Sequence, residues 1–301
     1  MKVLLANDDG INAPGIAALA KRFSMEHEVY IVAPAANKSG ASSSITVNVP
    51  HVLEKKSDGA LSSVAAYSLD GTPVDCVLSG VNGTYIPDVD VVISGINDGP
   101  NIGSDVIFSG TCGAARYASM MGIPGIALSV DTTSFRAPED RSGDLYFDSL
   151  ADFACKNLNR LIELCGERKL YNDRYIYDCF VNVNSPCLKV YKGVKLTSPS
   201  LRRYYDVIQL EKESESRFLS KCVGEFKCFS YGGEDADYKA TGSGYVSVSS
   251  VYTEVRAVDL SGKENSFIYE KIFAFIYKNE FKIADSYGML FRNAFYDGIY
   301  Y

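Results

Sequence analysis

Lys2-Val3-Leu4-Leu5-Ala6-Asn7-Asp8-Asp9-Gly10 decides how the first half of this chain is read. Residues 2–6 are a short apolar run, the form taken by a strand covered on both faces. A polar turn follows, and then a helix opened by Pro14, a residue suited to the first helical turn. Ile16, Leu19, Ala20 and Phe23 recur at helical spacing and give that helix one apolar face. Residues 29–33 form the next apolar run, stopped by Pro34. Strand, helix and strand within about thirty residues make a βαβ unit, whose crossover is right-handed in nearly all proteins.

The alternation continues outward from this unit. Val74, Val77, Leu78 and Val81 form a helical stripe behind Gly71-Thr72-Pro73, residues 89–94 read as a strand, and residues 111–121 as a helix of small side chains. Residues 125–130 read as a further strand, and Leu150, Phe153, Ala154, Leu158, Leu161, Ile162 and Cys165 predict one long amphipathic helix. This pattern predicts an α/β fold, a Rossmann-like three-layer sandwich with a mostly parallel sheet. Past residue 175 the character changes. Residues 179–183 and 194–197 look like strands, and the run Glu211, Lys212, Glu213, Glu215 and Arg217 reads as a solvated face or an exposed arm. Residues 245–251 and 267–277 alternate like antiparallel strands, so a C-terminal β-hairpin or arm elaboration is expected. One domain over residues 1–260, with an arm around 201–238, leaves residues 261–301 as a C-terminal extension, whose aromatic-rich stretch 281–301 is assigned no chemistry.

Composition narrows the function. The net charge of −7 in 301 residues leaves no excess of Lys and Arg to pair with a nucleic-acid backbone. With only His27 and His51 present, a histidine-rich zinc site is excluded, and carboxylates with a metal must do what imidazole often does. The eight cysteines contain no C-x-x-C pair and read as reduced core residues. The first polar turn arrives too soon for a signal peptide, and no apolar stretch is long enough to span a bilayer. The expectation is a soluble cytoplasmic protein with neither a membrane nor a nucleic-acid duplex as partner.

Three polar segments each follow a strand: Asn7-Asp8-Asp9-Gly10, Asn37-Lys38-Ser39-Gly40, and Gly95-Ile96-Asn97-Asp98-Gly99-Pro100-Asn101. Ligands of open parallel sheets bind beyond the carboxyl ends of the strands, so the three should converge. Adjacent aspartates repel unless they share a cation. Asp8, Asp9, the Ser39 hydroxyl and the Asn97 amide oxygen suit a hard divalent ion such as Mg²⁺ or Mn²⁺. The competing reading is that Asn-Asp-Asp-Gly only makes a turn and caps the helix behind it. Ser109-Gly110-Thr111 opens the helix running to Met121, where free N–H groups and the helix dipole attract phosphate; the plainer reading there is an ordinary cap by Ser109.

Taken together these segments resemble the SurE (survival protein E) family of 5′/3′-nucleotidases. The resemblance is carried by Asn7-Asp8-Asp9-Gly10 with Ala13-Pro14-Gly15, by Ala33-Pro34 and Asn37-Lys38-Ser39-Gly40-Ala41-Ser42, and by Gly71-Thr72-Pro73-Val74-Asp75-Cys76. It continues in Ser94-Gly95-Ile96-Asn97, Pro100-Asn101-Ile102-Gly103, Ser109-Gly110-Thr111 and Gly244-Tyr245-Val246-Ser247, covering residues 1–255. It implies one divalent ion per subunit on Asp8, Asp9, Ser39 and Asn97, and phosphate contacts at Asn101, Ser109, Gly110 and Thr111. Asp8, Asp9 and Asn101 are then the catalytic positions, and the substrate is a nucleoside monophosphate. It also implies a homodimer or homotetramer in which a C-terminal arm reaches a partner subunit. Asp98 stands where the family usually has alanine, Ser243 where it has glutamate, and Ser249-Ser250 replace a threonine-proline; residues 235–238 match the family's acidic loop only loosely.

The expected chemistry is hydrolysis by a metal-activated water that Asp8 or Asp9 orients or deprotonates, with direct attack by Asp8 as the alternative. A phosphatase of the haloacid-dehalogenase type wants aspartates two residues apart, and here they are adjacent. A non-catalytic oligomeric interaction protein is the remaining alternative.

Overall fold

The computed structural model describes residues 1–57, 61, 64–132, 146–204, 207–222 and 228–255, all within the compact unit Met1–Val255. The strands in chain order are β1 (Lys2–Ala6), β2 (Glu28–Pro34), β3 (Leu53–Lys56), β4 (Ala65–Leu69), β5 (Val91–Asp98), β6 (Gly125–Asp131), β7 (Arg168–Tyr171), β8 (Arg174–Tyr177), β9 (Cys179–Pro186), β10 (Val194–Leu196), β11 (Leu201–Tyr204), β12 (Ile208–Lys212), β13 (Phe218–Cys222), β14 (Cys228–Tyr231) and β15 (Val246–Tyr252). The helices are α1 (Pro14–Phe23), α2 (Pro73–Asn82), α3 (Gly110–Met120), α4 (Phe147–Lys156), α5 (Leu158–Glu163) and α6 (Asp237–Gly242). The strand expected over residues 267–277 and the extension from 261 lie outside the described residues.

Nine strands form one sheet in the order β10-β15-β9-β6-β5-β1-β2-β4-β3. Only the β15–β9 and β3–β4 pairings are antiparallel, so the sheet is mostly parallel as predicted. From β1 the chain runs outward through β2 to β4, then crosses back to β5 on the other side of β1. The β1–β5 boundary is therefore the point where strand order reverses, and its carboxyl edge is the natural crevice.

Side-chain alternation along β1 shows the three layers. Val3 and Leu5 join the cluster holding Ile16, Leu19 and Phe23 of α1 and Leu150 of α4, whereas Leu4 and Ala6 join Cys76 and Val77 of α2 and Ala114 of α3. The predicted α1 face of Ile16, Leu19, Ala20 and Phe23 is buried throughout. Burial of each large member of that face contributes about 1.5–3 kcal/mol. Gly15 lets α1 lie against β5: a Cβ there would stand 2.0 Å from the Ile96 carbonyl oxygen.

Three expectations need correction. The single long helix over 150–165 is two helices, broken at Asn157, whose side-chain amide donates to the Phe153 carbonyl at 2.8 Å while its backbone leaves helical values. The strand expected to end at Ser94 runs on to Asp98 through a register shift between Ser94 and Asn97. Asn97 and Asp98 thus sit on the end of a strand paired to Ser129 and Val130, not in the loop after it. Third, β3 and β4 were not expected. Ala65-Ala66-Tyr67-Ser68-Leu69 has little strand propensity of its own and is held by pairing with β2.

Candidate active site

The turn after β1 is made by Asn7. Its side-chain amide donates to the Gly10 carbonyl at 2.8 Å and its Oδ1 accepts from the Gly10 amide at 3.2 Å. Neither aspartate caps α1, whose N-cap is Ala13 with no side-chain hydrogen bond. The two carboxylates are thereby left to face the crevice. Asp8 is buried and accepts a 2.6 Å hydrogen bond from the Thr111 hydroxyl. Burial pushes its carboxyl above the usual range, although hydrogen bonds from Thr111 and from the Gly110 backbone oppose the rise. Asp9 is pushed up to about 6 by burial, then by the charge of Asp8, with Asp98 adding to it. A crowded, half-dry set of carboxylates of this kind is short of positive charge.

The second and third polar segments reach the same place. The Lys38 amide donates to the Asp8 carbonyl at 2.7 Å, and Asn37 Nδ2 donates to Asp9 Oδ1 at 3.4 Å. Asn37 Oδ1 accepts in turn from the Ser39 amide at 2.9 Å, which fixes Ser39 on this turn. From β5, the Asp98 amide donates to Asp9 Oδ2 at 3.2 Å. The adjacent Asn97 commits its Nδ2 to the Gly99 carbonyl at 2.8 Å, so its Oδ1 is the end left to accept.

The N-terminus of α3 closes the other side of Asp8. Ser109 is the N-cap and its Oγ accepts from the Cys112 amide at 3.0 Å, so the plainer of the two readings of Ser109 describes at least part of its role. Gly110 is required by contact: a Cβ would lie 2.9 Å from Asp8 Cβ and 3.0 Å from Asp8 Oδ2. Asn101 is held by its own set of hydrogen bonds. Its amide donates to Asn184 Oδ1, its Nδ2 donates to Ser129 Oγ, both at 2.8 Å, and its carbonyl accepts from Asn182 and Asn184. On the α1 side of Asp9 a cavity of about 320 Å³ is lined by Asn12, Pro14, Ala36, Asp98 and Phe147.

Residues 3–206 match the family model described as Survival protein SurE. The chain belongs to the SurE family. It is 33% identical over 263 residues to the 5′/3′-nucleotidase SurE of Edwardsiella ictaluri, covering 87% of this chain and 94% of that one. It is 36% identical over 215 residues to the 5′-nucleotidase SurE of Clostridium beijerinckii, covering 71% and 80%. The crystal structure of the SurE protein from Aquifex aeolicus superposes with a TM-score of 0.67 at 29% identity, covering 89% of this chain and all of that one. The family is one of enzymes, and its relatives bear nucleotidase names across nearly their full length.

Several residues that hold this SurE crevice together were missed. Asn182 and Asn184 alternate with Val181 and Val183 on β9, and two buried amides on an apolar strand were the available signal. Asp237, fully buried at the start of α6, accepts from the Gly103 amide at 2.6 Å and the Ser200 amide at 3.1 Å. Beside it, the Tyr204 hydroxyl donates to Asp105 Oδ2 at 2.7 Å and the Arg202 amide to Ser104 Oγ at 3.0 Å. These bonds tie β11 to the turn Gly103–Ile107 that leads into Ser109. No local pattern announces them, because partners about 100 residues apart meet only in the fold.

Proposed function

We propose that this SurE chain hydrolyses nucleoside 5′- and 3′-monophosphates to nucleoside and phosphate, using one divalent ion, Mg²⁺ or Mn²⁺. The observation that carries the reading is the convergence of Asp8, Asp9, the Asn37–Ser39 turn and the Asn97–Asp98 strand end at the strand-order reversal. The donors fit a hard cation: two carboxylates, the Ser39 hydroxyl and the Asn97 amide oxygen offer only oxygen. A divalent ion on Asp8, Asp9, Ser39 and Asn97 supplies Lewis-acid polarisation of a phosphoryl oxygen and lowers the pKa of a water.

The chain's own residues do the rest. Asp8 is committed to Thr111 and the start of α3, which makes it a rigid anchor and a poor nucleophile. Asp9 orients the attacking water and takes its proton as the new P–O bond forms. The ester oxygen leaves with the bonding pair and is protonated from solvent. Asn101, the Ser109 hydroxyl and the N–H groups of Gly110 and Thr111 hold the charge that develops on the phosphoryl oxygens. The cavity beside Asp9 offers room for the nucleoside.

The same reading extends to assembly. Every residue of β12 and β13 is exposed, and Ile208, Leu210, Phe218 and Leu219 are among them. An apolar hairpin this bare is an arm for a partner subunit in a homodimer or homotetramer. A monodisperse monomer in light scattering would rule the arm out. No helix among the described residues is long and apolar enough to cross a membrane.

Phosphate release from a panel of nucleoside monophosphates and p-nitrophenyl phosphate, with Mn²⁺, Mg²⁺ or EDTA, tests the activity. Metal-dependent release that favours nucleotides is expected; release from p-nitrophenyl phosphate alone would point to another phosphoester, and none under any metal would overturn the reading.

A further inference from the structure

The far end of α1 carries a second cluster that the nucleotidase reading does not use. Glu26, His27 and Cys155 bring a carboxylate oxygen, an imidazole nitrogen and a thiol sulfur within 4.8 Å of one another. Glu26 and His27 lie just past the C-terminus of α1, and Cys155 lies on α4, so the cluster bridges two helices that pack on the same face of the sheet. Both ring nitrogens of His27 are buried without a hydrogen-bond partner, although an imidazole carries at least one donor. Its ring rests on Phe23 at 5.7 Å between centroids, which fixes its plane and offers the nitrogens nothing. Buried polar atoms left this way are uncommon and call for an occupant.

We propose that Glu26, His27 and Cys155 form a three-ligand site for a borderline-soft divalent ion of the zinc class. Sulfur and nitrogen donors select Zn²⁺ or Co²⁺ over Mg²⁺, so the site is chemically separate from the all-oxygen set around Asp9. Three protein ligands leave a fourth position to water, and the exposed Glu26 side is the entry. The surroundings hold the ligands in place. Arg22 Nη1 binds Glu26 Oε1 at 2.8 Å and leaves the second carboxylate oxygen to the ion, while Arg22 Nε binds Asp152 Oδ1 of α4 at 3.0 Å. Arg22 is shared between Glu26 and Asp152, and Asp152 also pairs with Lys156 Nζ at 2.7 Å, so the Cys155 thiolate is the negative charge that the ion itself brings into balance. The site also lies at the negative end of the α1 dipole, where a cation is favoured. Occupancy ties α1 to α4. The opposite end of α1 and the first residue of α4 line the cavity beside Asp9, so the ion braces that wall from behind.

Cobalt titration of the full chain in an Asp9→Asn background tests this, since a thiolate-to-cobalt charge-transfer band reports sulfur ligation alone. One equivalent of Co²⁺ is expected to raise the band and one equivalent of Zn²⁺ to abolish it. Cys155→Ser should lose the band. His27→Gln should weaken binding by more than about tenfold, a cost that even outer partners of a ligand commonly reach. The thermal midpoint should rise with the logarithm of free zinc, and not in Cys155→Ser. If Cys155→Ser folds poorly, Cys155→Ala gives the same reading with an apolar side chain. A folded Asp9→Asn protein without the band overturns the proposal, as does a band that survives loss of Cys155.

Discussion

Asp75, at the start of α2, and the Asp8–Asp9 pair, just past β1, are carboxylates withdrawn from solvent, Asp9 only partly, and the fold treats them in opposite ways. Asp75 accepts from the Thr46 amide at 2.9 Å, the Thr46 hydroxyl at 2.8 Å and the Thr72 amide at 2.9 Å. Its own amide donates to Thr72 Oγ1, which completes a capping box at the start of α2. Burial works to raise its carboxyl, but these donors outweigh burial and hold it below the usual range. Asp8 is raised because burial outweighs its hydrogen bonds from Thr111 and Gly110, and Asp9 is raised by burial and then by the charge of Asp8. A buried carboxylate completed by its own chain is architecture; a pair left short of positive charge is where an outside cation has something to supply.

Asp9→Asn tests that contrast most sharply. Phosphate release should fall by at least about a hundredfold, while the thermal midpoint in EDTA should hold or rise, because a like charge beside Asp8 is gone. A variant that loses activity and stability together would put Asp9 in the same structural class as Asp75.

Asp75→Asn should give the mirror image. Losing charge-assisted acceptors at a buried cap costs about 1–3 kcal/mol in urea denaturation, with the metal dependence of phosphate release unchanged. A variant that instead shifted the metal requirement would erase the distinction.

The two kinds of carboxylate should also split by pH. The folded-state value of Asp75 is depressed, so its contribution is present above the ordinary 3.8 and is lost as pH falls through its lower folded value. The folded value of Asp9 is raised, so the metal-free protein binds an extra proton between 3.8 and about 6 and loses stability as pH rises through that window. Denaturation in EDTA across that window should show the decline, and Asp9→Asn should reduce it to the part that Asp8 contributes.

What was legible in advance follows the range of the interaction. The β1 run, the apolar face of α1 and the Thr72-Pro73 start of α2 are local patterns, and each appears where expected. The convergence of Asp8, Asp9 and the Asn37 and Asn97 segments was also legible, because parallel strands bring their carboxyl ends to one edge. The Asn157 break was not, since a side chain bonding its own backbone leaves no mark on an otherwise regular stripe. Asp237 and the Asn182–Asn184 pair were beyond reach for a different reason: each polar group looks ordinary until a partner distant in sequence is placed against it.

Ser109 carries the smallest effect and the finest distinction. Its Oγ accepts from Cys112, so Ser109→Ala should cost about 1 kcal/mol of stability whether or not phosphate ever touches it. A pure cap predicts nothing more, and KM and kcat would stay together near their original values. A hydroxyl that also donates to the phosphoryl group predicts a fall in kcat/KM beyond the stability loss, and Ser109→Thr, which restores both cap and hydroxyl, should recover it. Ser109→Asp separates the two roles further. It caps α3 as well as serine does, but it sets a fixed negative charge where the substrate's own charge must sit. Stability restored with activity still lost would assign the hydroxyl to the substrate; both restored would leave Ser109 on the structural side, beside Asp75.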